Sequence, residues 1–139
     1  MSSPLGNGMT VENVIFCEQV REEVNKKHSL MGATVGPMVV PSFPAVIFLS
    51  AYVDISAKEK VASTAEVRWS FNGNKLADGE VVLEVKPPGH LALVMPPAPI
   101  TMEAAGDVTL EIKVKDLDWV VVQRTAIVAA EAKPATSST

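Results

Sequence analysis

The feature that most constrains the fold of this chain is a series of short apolar runs with strand periodicity, cut by proline and glycine. Residues Thr64–Phe71 show it most clearly, because Ala65, Val67, Trp69 and Phe71 alternate with polar neighbours. A period of two is typical of a β-strand with one buried and one solvated face. About eight runs of this kind, with almost no helical pattern, predict an all-β protein.

The connections between the runs favour one all-β architecture. Asn72-Gly73 predicts a tight hairpin, Asp78-Gly79 predicts a second turn, and the proline-rich segment 87–100 predicts a crossover or a bridging strand. Such connections favour a Greek-key, immunoglobulin-like β-sandwich of about seven to nine strands over an up-and-down barrel. Val11–Val20 also fits a helix, but its β-branched and aromatic centre favours a strand. The other predicted strands are Ser29–Val35, Met38–Val40, Ala45–Ile55, Glu80–Lys86, Gly106–Lys115 and Trp119–Ala130.

The length of 139 residues suits a single domain. We expect a flexible arm over residues 1–10, a β-sandwich over 11–130 and a disordered tail over 131–139. Cys17 is the one cysteine, so no intramolecular disulfide is expected, and a reducing compartment such as the cytoplasm is favoured. The N terminus lacks the basic and apolar segments of a secretory signal.

Charge and hydropathy exclude two classes of partner and favour a third. The net charge is −4 and no basic stripe occurs, which argues against nucleic-acid binding. Prolines and glycines divide the uncharged stretch Ser29–Val53 into pieces too short to span a membrane. Because 47% of the residues are apolar and only 20% are charged, part of the apolar surface is expected to be covered by a partner.

Residues that could carry chemistry are scattered. His28, His90 and a loop carboxylate such as Asp116 form a conceivable metal site, but no metal-binding spacing occurs, and solvated histidines are the preferred interpretation. Asp116 and Asp118 fit a turn better than a calcium loop. Cys17 lies in an apolar run and reads as a buried thiol rather than a nucleophile. We therefore expect no cofactor, no metal and no enzymatic activity.

The last predicted strand suggests an interaction surface. It is apolar on both faces apart from Arg124, which we expect either to point outward at a bulge or to pair with a carboxylate. Trp119 at its start is either a core lid or an interface anchor. The first hypothesis is thus a non-enzymatic module that self-associates or docks a protein partner through an apolar sheet face or edge, with Trp119, Val120, Val122 and Arg124 near the contact.

The alternative hypothesis is a small-ligand binder. Its pocket would lie beside the proline-rich segment 87–100, with Met95 and Met102 as an adaptable apolar lining and His90 as the polar group. A hydrolytic or metal-dependent enzyme is a third and weaker hypothesis, because it needs convergent titratable groups.

A further set of segments comprises Asn13–Glu23, Ser29–Gly32 and Val39–Ala45, together with the turn and strand that follow Asp116. These segments resemble a family of small bacterial or phage-borne all-β proteins, a domain of unknown function. The resemblance implies a bacterial or phage origin and a single sandwich-like domain. It brings no catalytic or binding residue with it.

Overall fold

The computed structural model describes residues 3–24, 27–34, 36–86 and 89–130, and this part of the chain contains no α-helix. The all-β prediction is confirmed. The eleven strands exceed the roughly seven to nine expected, because β1, β3, β4 and β5 are short pieces. The strands are β1 Ser3–Gly6, β2 Met9–Cys17, β3 Gln19–Glu22, β4 His28–Met31, β5 Met38–Val40, β6 Ala45–Ala57, β7 Val61–Phe71, β8 Asn74–Val85, β9 His90–Met102, β10 Gly106–Val114 and β11 Trp119–Ala129.

Most of the strands belong to two sheets. The four-stranded sheet has the order β1-β2-β6-β9, and the five-stranded sheet has the order β5-β11-β10-β7-β8. Neighbouring strands are antiparallel except β5 and β11, which are parallel. The third sheet is the hairpin β3–β4, and the Ser50 hydroxyl of β6 donates to the Glu18 carbonyl just before this hairpin.

Side chains of the two large sheets meet in one apolar core. Phe16 of β2 and Trp69 of β7 belong to different sheets, and their ring centroids are 5.1 Å apart. The alternation read in Thr64–Phe71 places Ala65, Val67 and Trp69 in this core, as the period of two requires. The largest side chains with almost no exposed surface are Met9, Leu49, Ile55, Leu83, Ile100, Leu110, Ile112 and Ile127.

Two turn predictions have different outcomes. Asn72 and Gly73 have φ values of 49° and 84° and connect β7 to β8, so the hairpin is confirmed. Such turns favour Asn-Gly because both central residues need positive φ. Asp78-Gly79, by contrast, lies inside β8, and Gly79 pairs with Val67 of β7. The second predicted turn is therefore wrong.

The N-terminal segment, for which a flexible arm is predicted, contains a short strand. Residues 3–6 form β1 and pair with β2, and Leu5 and Met9 are buried in the core. The tail predicted over 131–139 lies outside the described residues. No helix in the described ranges is long and apolar enough to cross a membrane.

Candidate functional site

The residues predicted to lie near a partner contact are all on β11, but their environments differ. Val120 and Val122 pack against the core, and Trp119 is half-buried. Arg124 is exposed, and no carboxylate of the described residues lies within 4.0 Å of it. Arg124 is therefore the charged residue among the four predicted to lie near a partner contact, and it faces solvent.

A β-bulge explains why β11 reads as apolar on both faces. The register with β10 shifts so that Leu110 lies opposite Gln123 while Glu111 lies opposite Val121. Val122 is the extra residue, and a bulged residue breaks the strict alternation of a strand. Val120 before the bulge and Ile127 after it can therefore both face the core, although strict alternation would place them on opposite faces.

The outer face of the five-stranded sheet carries a polar network that the sequence did not reveal. Arg68 Nη2 donates to Glu111 Oε2 at 2.8 Å, and the Ser70 hydroxyl donates to Glu111 Oε1 at 2.9 Å. The Arg68 guanidinium also lies 3.9 Å from the ring centroid of Trp119, a cation–π distance. The hydrogen bond from Arg68 lowers the pKa of Glu111. This face is thus polar at its centre, with single exposed valines beside it.

A wide depression lies at the margin where neither sheet is closed. We call it the β2–β11 groove; it has a volume of about 640 Å³. On the side of β2 that carries β1, strand pairing covers residues 9–11, and the Phe16 carbonyl accepts from the Thr34 backbone N–H at 2.9 Å; on the side of β11 that carries β5, strand pairing covers residues 127–129. The described residues that line the groove are Val14, Ile15, Phe16, Ala33, Thr34, Gly36, Pro37, Gln123, Arg124, Thr125 and Ala126.

The Gln123 side chain bridges this groove. Its Nε2 donates to the Val14 carbonyl at 3.1 Å, and its Oε1 accepts from the Arg124 backbone N–H at 3.0 Å. A primary amide carries one acceptor and two donors, so it can replace a peptide group at a strand edge. Gln123 therefore satisfies backbone groups that an additional strand would otherwise pair.

The residues of the predicted ligand pocket are separated in the structure. Met95 is buried and lines a cleft beside the proline-rich segment, whereas Met102 lines a different depression near Phe71. His90 lies in a third depression on the outer side of the four-stranded sheet. The structure thus brings Met95, and neither of the other two, to the cleft beside residues 96–99.

We call that cleft the β8–β9 cleft; it has a volume of about 330 Å³ and separates two edge strands. The β8 positions opposite Trp69 and Val67 are Ala77 and Gly79, so β8 presents little side-chain volume here. On β9, Pro96-Pro97 coincides with a register shift against β6. The lining residues are Val67, Trp69, Ala77–Val81 and Val94–Pro99.

Both histidines line one shallow depression. His28 of β4 lies against Tyr52 with ring centroids 5.3 Å apart, and His90 Nδ1 lies 2.8 Å from Asp54 Oδ1. The hydrogen bond to Asp54 raises the pKa of His90. Asp116 does not line this depression, and within the described ranges no three metal-ligating side chains converge.

Comparison with known proteins adds no identity. No protein-family model matches the chain, and no curated protein matches it.

Proposed function

We propose that this protein is a non-enzymatic interaction module that binds an extended segment of a protein partner in the β2–β11 groove. The observation that carries the proposal is the bridging amide of Gln123, which makes the hydrogen bonds of an absent strand. Addition of an extended segment to open strand edges is a common mode of peptide recognition, because the backbone supplies affinity and alternate side chains supply specificity.

The groove fits such a segment better than the faces of the sheets do. The outer face of the five-stranded sheet has the Arg68–Glu111 ion pair at its centre, and a charged pair is costly to cover. The groove instead combines strand edges that no neighbouring strand covers with an apolar lining that includes Ile15, Pro37 and Ala126. A partner would gain backbone hydrogen bonds and apolar contact without desolvating that pair.

Arg124 supplies the electrostatic preference. Among the described residues that line the groove it is the one charged residue, and it is exposed. A partner segment with an aspartate or glutamate at this point would form a charge-assisted hydrogen bond with it. We therefore expect partner segments to alternate apolar residues and to include an acidic one.

The proposal extends to the architecture. We propose that the two large sheets form an immunoglobulin-like Greek-key sandwich, supported by the passage of the chain between the sheets at β5–β6, β6–β7, β8–β9 and β9–β10. In this arrangement the β2–β11 groove is one open margin of the sandwich. The bacterial or phage origin rests on the family resemblance alone.

The test is selection of a phage-displayed peptide library on the intact protein, followed by titration of the enriched peptides. We expect enrichment of alternating apolar peptides with an acidic residue, and about tenfold or more loss of affinity in Arg124→Glu through like-charge repulsion. Ala126→Phe fills the groove and is expected to abolish binding. Val121→Phe is the matched control, because Val121 is exposed on the same strand outside the groove.

Native mass spectrometry of the same variants identifies self-association. An oligomer that Ala126→Phe disrupts and Val121→Phe preserves would make a second copy of this chain the partner. A monomer with no enriched peptide, or peptides that bind Ala126→Phe as well as the wild type, would refute the groove as the binding site.

A further inference from the structure

The opposite margin of the two sheets, where the β8–β9 cleft lies, has a long open strand edge. In the part of the chain that the structure describes, β8 pairs with β7 alone, and it runs over Asn74–Val85 without a proline. The other edge strands are protected, because β1 and β5 have four and three residues and β9 contains Pro96, Pro97 and Pro99. A long edge strand without proline is a template for pairing with another chain.

The backbone groups of Glu80 point to this free edge, the side of β8 away from β7. The Lys115 N–H donates to the Thr64 carbonyl at 3.0 Å, so Thr64 directs its backbone groups at β10. Because these groups alternate sides along a strand, Glu66 also directs its own at β10 and away from β8. Glu80 lies directly opposite Glu66, so the two exchange no hydrogen bonds and the N–H and C=O of Glu80 face the free edge.

The outer face of β8 is acidic. Asp78, Glu80 and Glu84 share this face, because they are separated by even numbers of residues. Asp78 and Glu84 each pair with a nearby lysine. Glu80 shares a depression with Lys113 and Lys115, but no lysine or arginine of the described residues lies within 4.0 Å of it. Glu80 can therefore pair with a cation of another chain.

Arg124 matches Glu80 in charge, face and backbone direction. It lies opposite Thr109 on the outer face of the same sheet, and its N–H points away from β10, toward the Gln123 side chain. The strand β8 runs antiparallel to β11, because each of the three intervening pairings is antiparallel. Two copies side by side can therefore form an antiparallel β11–β8 ladder in which Arg124 and Glu80 are a directly opposite, hydrogen-bonded pair.

We infer that the extended segment bound in the β2–β11 groove is β8 of a second copy of this chain, with its Glu80 beside Arg124. The inference rests on the function proposed above and names the partner. Since β5 occupies the rest of the β11 edge, the pairing covers residues 119–126 of one copy and 78–84 of the next. The contact joins different edges of the two copies, so it repeats from copy to copy and produces a filament or a closed ring.

The test is a reciprocal charge reversal, with association measured by sedimentation velocity over a range of protein concentrations. We expect the wild type to self-associate. Glu80→Arg and Arg124→Glu each place like charges opposite one another, so either variant alone should associate at least about tenfold more weakly. In an equimolar mixture, every contact between unlike variants again joins opposite charges, so the mixture should recover the assembly.

Glu103→Arg is the matched control for Glu80→Arg. It makes the same change of charge at an exposed residue outside the lining of both the groove and the cleft, so association should be unchanged. Circular dichroism verifies that each variant is folded. Raising the salt concentration should weaken association of the wild type, because salt screens the exposed charges.

A wild type that stays monomeric would overturn the inference. So would a Glu80→Arg protein that associates like the wild type, or a mixture of the two variants that recovers no assembly. These results are distinct from failure of the proposed function, which is measured by peptide binding. Peptides that bind the groove of a monomeric protein would refute β8 as the partner while leaving the groove as a binding site for another protein.

Discussion

Glu111 shows how one carboxylate organises the outer face of the five-stranded sheet. It accepts from Arg68 and Ser70, and its side chain is only 12% exposed. Glu111→Gln removes the charge that Arg68 needs, so we expect the free energy of unfolding to fall by about 1–3 kcal/mol at neutral pH. Glu84→Gln is the control, because the Glu84 pair with Lys86 is exposed and is expected to contribute less than about 1 kcal/mol.

The same carboxylate predicts an acid-dependent loss of stability. The pKa of Glu111 in the folded protein is lowered from the ordinary value of 4.5. Its contribution is therefore complete above pH 4.5 and is lost as the pH falls through the lower folded pKa. Urea titrations should show the wild type and Glu111→Gln converging toward acid; a constant difference would contradict the assignment.

His90 predicts the opposite pH dependence. Its pKa is raised from 6.5 by the hydrogen bond to Asp54, so the stabilisation is complete below pH 6.5 and is lost as the pH rises through the raised folded pKa. The His90 side chain is largely exposed, so the effect on melting temperature is expected to be small. An NMR titration of the imidazole checks the direction directly, and an Asp54→Asn variant should return the pKa toward 6.5.

At the scale of strands, two glycines are expected to respond in opposite ways to alanine. A Cβ at Gly89, which precedes β9, would overlap the backbone carbonyl oxygen of Ala57, whereas Gly79 in β8 has free space. We expect Gly89→Ala to lose about 1–3 kcal/mol of stability through overpacking. Gly79→Ala should gain about 0.4–1 kcal/mol, because it reduces the entropy of the unfolded chain. Thermal melts of the two variants test this prediction, and changes of melting temperature in the same direction would contradict it.

The strands that the sequence predicted well are those with a regular period. β7 and β10 lie close to their predicted ranges, because alternation alone fixes which side chains enter the core. The turn predicted at Asp78-Gly79 was wrong because the same residue pair occurs both in turns and within strands. Here the pairing of Gly79 with Val67 of β7 places it within a strand, and the local sequence does not show that pairing. The prolines made β9 hard to predict, because a strand accommodates proline when it lies at a sheet edge, and β9 is an edge strand.

The candidate sites were less predictable than the strands. Arg124 was predicted near a partner contact and Met95 in a ligand pocket, and each lines one of the two open margins. The bridge from Gln123 to Val14 joins residues far apart in sequence, so no local pattern encodes it. The ion pair of Arg68 with Glu111 depends on the register of β7 against β10, which periodicity does not specify.

At the scale of the whole molecule, a core shared between the sheets predicts that they unfold together. Phe16 and Trp69 connect the two sheets directly, and both are almost fully buried. In a Trp119→Phe background, the emission of Trp69 reports this contact, while circular dichroism reports the strands. We expect the two signals to give one coincident urea transition, with a slope of about 1–3 kcal/mol per molar urea.

Phe16→Ala should shift the midpoints of both signals equally, at a cost of about 3–5 kcal/mol in the free energy of unfolding. Separate midpoints would mean that each sheet has a stable core of its own, which the shared packing of Phe16 on Trp69 argues against.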